Sequence, residues 1–215
     1  MKLVHGSRVV VKSPQFGAGN PRNDYGLGFY CTESYELACE WACPDRADGF
    51  VNEYALDESG LAVCDLDADP YGTLHWLAVL VKHRGFNETT PLMSNMKRLL
   101  LDRYDVDLRK ADVVVGYRAD DSYFSFVRAF LDNRISLRQL ERAMRLGGLG
   151  RQVVLKSKGA FERLVFCEAT AVSADVWNAR RLRRDRNVRL GFASMVREGD
   201  FRPDDVFALD LLRGR

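Results

Sequence analysis

Two glycines, a short aromatic run and a helix cap follow one another in the segment Gly26-Leu27-Gly28-Phe29-Tyr30-Cys31-Thr32-Glu33-Ser34. The run Phe29–Thr32 has the composition of a β-strand. The helical pattern Ser34–Ala42 follows directly and places Leu37 and Trp41 on one face. The glycine pair is not a dinucleotide-binding fingerprint, because it precedes the strand instead of following it. From the residues alone, the glycines indicate a tight turn and the aromatics a place in the core.

Strand and helix patterns continue on both sides of this segment without a regular βαβ alternation. The other strand-like runs are Lys2–His5, Val51–Leu56, Leu61–Asp65, Asp112–Gly116, Gln152–Lys156 and Leu164–Glu168. The other helical patterns are Thr73–His83, Ser122–Leu131, Ser136–Arg145 and Val176–Val196. The residues Ser136 and Gln139 have the spacing of a capping box. The irregular mixture predicts an α+β fold, and no Gly/Pro-rich linker divides the chain.

The composition is that of a globular chain and excludes a disordered or fibrous one. The 215 residues are 47% hydrophobic and 29% charged. No signal-peptide run and no apolar stretch of membrane-spanning length occurs, so we expect a cytoplasmic protein without membrane association. An effector exported without a cleaved signal would look the same. Five cysteines without C-x-x-C spacing and only three histidines predict reduced thiols and no metal site.

The net charge of +2 hides a division between the two halves of the chain. Residues 1–107 carry 10 Lys and Arg against 16 Asp and Glu, whereas residues 108–215 carry 22 against 14. Six arginines fall within Arg180–Arg189. On a helix they would form a basic face that binds nucleic acid or an acidic protein. The alternatives are a solvated face, or one docked on the acidic half of this chain.

Three further features contain residues that are suited to catalysis or to ligand binding. In Leu3-Val-His5-Gly6-Ser7-Arg8, a histidine ends a strand and a glycine allows another molecule to approach closely; a structural histidine is the alternative. Gln152 opens a strand after a glycine-rich turn, and a solvated strand end would explain it equally. The turn-rich loop Gly17–Asp24 has a length that is often functional.

The order of these motifs resembles the ADP-ribosyltransferase fold. The poly(ADP-ribose) polymerase-like branch shares a His-Gly-Ser-Arg run at His5–Arg8 and a Gly-x-Gly-aromatic-Tyr run ending at Tyr30. Over about residues 2–190 the chain looks more like the bacterial family called domain of unknown function 3990. The features that resemble it are Trp76-Leu77 with Arg84, Asp112-Val-Val-Val-Gly116, Ala119-Asp120-Asp121, Gln152, and Ala160 with Leu164 and Phe166.

The resemblance implies a single ADP-ribosyltransferase-like domain over residues 1–172, followed by a basic helical extension over 173–215 that packs on it. Two packed sheets would surround a cleft for NAD. His5 would bind a ribose hydroxyl, and the backbone of Gly6, supported by Ser7, would bind the nicotinamide carboxamide. Tyr30 and Trp41 would enclose the nicotinamide ring. Arg8 and Arg84 would pair with the pyrophosphate, with surface arginines as the alternative.

One departure from the family pattern concerns charge. Gln152 lies where the poly-ADP-ribosylating enzymes carry glutamate, so it can position the ribose but cannot stabilise a developing positive charge. We therefore expect transfer of a single ADP-ribose, aided by a carboxylate from elsewhere. Asp120 and Asp121 are the candidates, as an electrostatic anchor or a general base. The alternative for Asp121 is a helix cap.

The resemblance thus implies an NAD-dependent mono-ADP-ribosyltransferase, with a toxin or phage-conflict enzyme held in check by an antitoxin protein as one form of it. It would use NAD as substrate and a protein or nucleic acid as acceptor. Two alternatives stay open: an NAD glycohydrolase with water as acceptor, and a non-catalytic module that senses NAD or binds a partner.

Overall fold

The computed structural model describes residues 1–85, 88–119, 121–148 and 150–214. The strands are β1 (Lys2–Ser7), β2 (Phe29–Thr32), β3 (Gly49–Leu56), β4 (Val63–Asp65), β5 (Val113–Tyr117), β6 (Arg151–Leu155) and β7 (Leu164–Val172). The helices are α1 (Tyr35–Ala42), α2 (Thr73–His83), α3 (Pro91–Arg103), α4 (Asp121–Leu131), α5 (Leu137–Met144), α6 (Lys158–Glu162), α7 (Ala174–Glu198) and α8 (Ala208–Leu212). The α+β class is confirmed.

The strands form one seven-stranded mixed sheet in the order β4-β5-β6-β2-β1-β3-β7. Only β4 and β5 run parallel; the other neighbours are antiparallel. The expectation of two packed sheets was wrong. The physical reason is that β2 bonds β6 on one side and β1 on the other, through the Val4–Thr32 pair, and so joins the strands into a single sheet.

Side chains alternate between the two faces of this sheet, and each face has its own core. Val154 and Val114 face the largest cluster, built with residues of α2, α3, α4, α5, α7 and α8. Val4 and Val51 face α1 on the same side. We call this side the helical face. Leu3 points to the opposite face, where it packs with residues of β5, β6 and α6.

The helix caps predicted at Ser34 and Ser136 are confirmed. Ser34 accepts a hydrogen bond from the Leu37 amide at the start of α1. At α5, the Gln139 amide donates to Ser136 Oγ, and the Ser136 amide donates to Gln139 Oε1. Each bond satisfies a backbone or side-chain group that the first helical turn would otherwise leave free.

Helix α7 docks on α1 through opposite charges, which settles part of the question about the arginine-rich segment. Arg184 forms an ion pair with Glu40 at 2.7 Å, and both side chains are largely buried. Arg180 lies 3.8 Å from Glu36 at the surface. Basic side chains of the second half therefore neutralise acidic ones of the first. Over the described ranges, the helices all lack the apolar length needed to cross a bilayer.

Gly6 allows α1 to lie directly on β1. A Cβ atom added there would be 1.9 Å from the Ala38 carbonyl oxygen and 2.7 Å from the Ala42 nitrogen. We expect Gly6→Ala to lower the free energy of unfolding by about 2 kcal/mol, because backbone cannot move aside as a side chain can. Gly159→Ala is the matched control, since its Cβ would meet only Ser157 Oγ at 3.7 Å. Urea denaturation of both variants measures the difference; equal stabilities would contradict this packing.

Candidate functional site

A polar cleft of about 620 Å³ opens on the helical face of the sheet. Its walls come from the loop before β2, from α1, β6 and α7, and from the segment after β5. The described residues that line it are Asn20, Arg22, Asn23, Asp24, Tyr30, Trp41, Arg84, Arg118, Ala119, Gln152, Arg181, Asp185 and Arg189. Four of these, Tyr30, Trp41, Arg84 and Gln152, are site residues predicted from the sequence.

Tyr30 presents its ring to the cleft while its hydroxyl holds the neighbouring turn. The hydroxyl donates to the Gly26 carbonyl at 2.6 Å and accepts from the Tyr25 amide at 3.0 Å. Burial raises the pKa of this phenol, so it stays neutral and cannot act as a base near neutral pH. Gly26 has φ +73°, and a Cβ there would lie 2.7 Å from the His83 ring. The motif glycine therefore has a structural role in the turn that Tyr30 closes.

Trp41 lies on α1 with a cation over its ring. The guanidinium carbon of Arg118 is 4.8 Å from the ring centroid. This arrangement shows that the Trp41 face attracts a flat positive group. The indole Nε1 is buried and has no hydrogen-bond partner among the described residues.

Gln152 sits at the start of β6, opposite Thr32 of β2, and only 6% of it is exposed. Its Oε1 is buried without a hydrogen-bond partner in the described part of the chain. The Nε of Arg181 is likewise buried without a hydrogen-bond partner among the described residues. A buried polar atom without a partner costs about 1–3 kcal/mol. All three residues, Gln152, Trp41 and Arg181, line the cleft.

Asp24 places a buried carboxylate in the cleft. Its Oδ1 accepts from Arg84 at 3.0 Å, and its Oδ2 accepts from the Ala119 amide at 3.0 Å. Burial raises the pKa of Asp24, while the Ala119 amide and Arg84 oppose that shift. Arg84 also donates to the Ala119 carbonyl. Asp24 was missed as a site residue from the sequence, and its place in the turn-rich loop was the signal that could have found it.

The residues behind Asp24 are held by a buried network. Trp76 donates its indole N–H to the Tyr25 hydroxyl at 3.0 Å and to the Tyr117 carbonyl at 3.1 Å. The Tyr25 hydroxyl donates to the same carbonyl at 2.5 Å. Tyr25 and Trp76 are fully buried. Because Tyr25 follows Asp24 in sequence, this network fixes the loop that carries the carboxylate.

The described residues that line the cleft do not include those of the His5–Arg8 motif. His5 alternates with Gly6 and points to the opposite face, where its ring packs 4.6 Å from that of Phe29. The His5 Nδ1 bonds the Tyr30 carbonyl at 2.7 Å. Since a carbonyl only accepts, Nδ1 carries the proton; burial lowers the pKa of His5 and favours the neutral ring. The structural alternative for His5 is thus the one that its contacts support.

The rest of that motif supports the fold around β1. Ser7 Oγ donates to the Val9 carbonyl at 2.5 Å and accepts from Asn52 Nδ2 at 3.1 Å. Gly6 packs directly against the backbone of α1, and Arg8 is exposed at the end of the strand. Of the two predicted carboxylates, Asp120 lies outside the described residues. Asp121 is the first residue of α4.

Helix α7 forms one wall of the cleft, which was not predicted from the sequence. Arg181 donates through Nη2 to the Pro44 carbonyl at 3.0 Å, and Arg189 pairs with Asp185 at 3.0 Å. Although burial would raise the pKa of Asp185, Ser122, Arg189 and Arg184 outweigh it and hold this pKa below its usual value. The arginine-rich segment thus lines the same cleft as Tyr30 and Gln152.

A second cavity, of about 650 Å³, lies beside Phe16, His83 and Phe161. Its charged residues already have partners: Lys82 with Asp105 at 2.7 Å, and Arg109 with Asp107 at 2.7 Å. None of the described residues that line it has a buried polar atom without a partner. The first cleft is therefore the candidate site. Across the described ranges, His, Cys, Asp and Glu side chains form no group that could hold a metal ion.

Comparison with known proteins returns one family. A family model described as "protein of unknown function (DUF3990)" matches residues 1–166. No curated protein and no solved structure matches the chain. The match covers every strand up to the first residues of β7 and the described cleft residues before α7. This chain belongs to the DUF3990 family.

Proposed function

We propose that this chain is an NAD-dependent mono-ADP-ribosyltransferase. The observation that carries the proposal is the composition of the cleft, which is lined by Tyr30, Trp41 and Gln152 together with several arginines. Aromatic rings suit a flat nicotinamide ring, a glutamine amide suits a ribose hydroxyl, and guanidinium groups suit a pyrophosphate.

The aromatic and charged residues of the cleft fit these parts of NAD. The Trp41 face already takes a flat cation from Arg118, and the nicotinamide ring of NAD is another flat cation. Arg84 and Arg118 line the cleft, and their guanidinium groups would bind the phosphate oxygens. Tyr30 offers a ring with a neutral hydroxyl.

The transfer would proceed by cleavage of the bond between the ribose C1′ and the nicotinamide nitrogen. The electron pair leaves with the nicotinamide, which becomes neutral, and positive charge develops on the ribose. The acceptor's lone pair then forms the new bond to C1′ and the acceptor loses its proton. Gln152 would orient the ribose, and Asp24 and Asp185 would supply the negative charge that Gln152 lacks.

The uncharged Gln152 also favours a second candidate, a non-catalytic module that binds NAD through the same cleft. One experiment separates the candidates: the protein is incubated in cell lysate with NAD labelled on its adenylate, and the products are treated separately with protease and nuclease. Nicotinamide release with label on a macromolecule supports the transferase, and the treatment that removes the label identifies the acceptor. Free ADP-ribose without labelled macromolecule indicates a glycohydrolase, and saturable NAD binding without turnover indicates the binding module.

The same experiment also tests which kind of macromolecule binds the exposed arginines of α7. The exposed Arg183 and Arg186 of α7 are available to an acidic protein, such as an antitoxin, or to a nucleic acid acceptor. Removal of the label by nuclease alone supports the latter.

A further inference from the structure

We infer that the second cavity, beside Phe16, His83 and Phe161, binds a small molecule that has an apolar body and a single carboxylate. The cavity shares no described lining residue with the cleft, so this inference goes beyond the proposed function and does not depend on it. The volume of about 650 Å³ lies within the range of about 300–1,000 Å³ that is usual for small-molecule pockets. Two features carry the inference: the apolar walls and one lysine.

The walls of this cavity are largely apolar, and part of their apolar surface is open to solvent. The rings of Phe16 and Phe161 meet edge to face, with their centroids 5.6 Å apart. Leu155 and Val106 extend the wall. Phe16 is 55% exposed and Leu27 is 39% exposed. A flat apolar ligand would cover these side chains, at a gain of about 25 cal/mol for each Å² removed from water.

Lys156 holds the unbalanced charge of the cavity. Each of the two carboxylates that line the cavity is paired with a basic neighbour that also lines it. Burial, Lys156 and Lys82 lower the pKa of His83, which favours its neutral ring. Among the described residues, no carboxylate lies within ion-pair distance of Lys156. The described lining therefore carries one net positive charge, and that charge is on Lys156.

The Lys156 ammonium is positioned to donate to one ligand oxygen. Its Nζ donates to the Tyr25 carbonyl at 2.6 Å and to the Leu27 carbonyl at 2.5 Å. An ammonium has three N–H donors, so one is left for a ligand, and the bond to Leu27 lies at the surface. Burial lowers the pKa of Lys156, the direction expected for an ammonium with no carboxylate beside it. A carboxylate supplies one negative charge and an acceptor for one donor, whereas a phosphate would bring up to two negative charges and need more donors.

The test is calorimetric titration of naphthylacetate and of its uncharged amide, naphthylacetamide, into the full chain. We expect the wild type to bind naphthylacetate at least about tenfold more tightly than naphthylacetamide, the size of one charge-assisted hydrogen bond. Lys156→Gln should abolish this difference. Lys158→Gln should keep it, because the Lys158 side chain is 77% exposed and does not line the cavity.

A second pair of variants leaves Lys156 and its two carbonyl bonds in place. Leu27→Glu brings a carboxylate to the cavity wall beside Lys156, whereas Leu27→Gln removes the same apolar side chain without adding charge. Leu27 is exposed enough for both variants to fold. We expect Leu27→Glu to bind naphthylacetate at least about tenfold more weakly than Leu27→Gln does, because the added carboxylate repels the ligand and competes for Lys156. Naphthylacetamide should bind the two variants alike.

The charge and the apolar walls can each be shown to be unimportant. If both probes fail to bind the wild type, or bind it equally, the inference is wrong. It is also wrong if the preference for naphthylacetate survives in Lys156→Gln, or if Leu27→Glu and Leu27→Gln bind naphthylacetate alike. Acetate, which has the carboxylate without the ring, should bind far more weakly than naphthylacetate, and equal affinities would overturn the role of the apolar walls.

Discussion

Gln152→Ala should slow the release of nicotinamide from NAD by about 100-fold, the usual effect of removing one preorganised hydrogen-bonding group from a transition state. Gln152 has a buried Oε1 without a partner in the described residues. Its truncation therefore breaks no contact of that oxygen within the protein, and the free energy of unfolding should change by less than about 1 kcal/mol. Nicotinamide release measured with urea denaturation tests both statements.

The pairing of lost activity with retained stability is what identifies a ligand-binding role. A merely structural glutamine would show the reverse, with unfolding affected and turnover proportional to the folded fraction. Gln152→Glu extends the test, because it adds the negative charge that the side chain lacks. We expect it to raise nicotinamide release above the wild-type rate; unchanged release in both variants would contradict a role for Gln152 in the reaction.

Asp24→Ala should lower the free energy of unfolding by about 4 kcal/mol, since removal of one partner from a buried ion pair is strongly destabilising. Asp24 is 7% exposed, and its two oxygens accept from Arg84 and from the Ala119 amide. The substitution would leave the Arg84 guanidinium without this counter-charge and the Ala119 amide without its acceptor. Urea denaturation at constant pH measures the loss.

Asp107→Ala is the control for Asp24→Ala. Asp107 also pairs with an arginine, Arg109, but the Arg109 side chain is 90% exposed. Exposed pairs contribute only about 0–1 kcal/mol, and the Asp107 side chain also accepts the Arg109 amide as a helix cap, typically about 1 kcal/mol, so this variant should lose at most about 2 kcal/mol. A loss of similar size in the two variants would mean that burial of Asp24 does not determine its contribution.

Much of the secondary structure could be predicted because its causes are local. Each of the seven predicted strand runs forms a strand, and the caps at Ser34 and Ser136 form as their side chains require. Three helices were missed: α3 (Pro91–Arg103), α6 (Lys158–Glu162) and α8 (Ala208–Leu212). The last two have five residues each, too few for a helical period to stand out.

The lining of the candidate cleft was predicted in part, and the strand pairing explains which residues lie on its side of the sheet. Tyr30 and Gln152 share a face because Tyr30 pairs with Val154 and Thr32 with Gln152. His5 lies on a strand whose odd-numbered residues point the other way, as Leu3 shows. A shift of one residue in the pairing would exchange the faces. The register is set by hydrogen bonds between strands distant in sequence, so no local pattern could place His5 relative to the cleft.

By itself, the sequence determined the α+β class, the strand positions, the capped helices and the aromatic and glutamine side chains of the cleft. These follow from propensity, periodicity and residue chemistry, which act over a few residues. Only the tertiary structure decided that the strands form one sheet, that His5 faces away, and that Asp24 and Arg181 join Gln152. Those outcomes depend on contacts between segments that are distant in sequence, where pairing and burial select among arrangements that the local sequence allows equally.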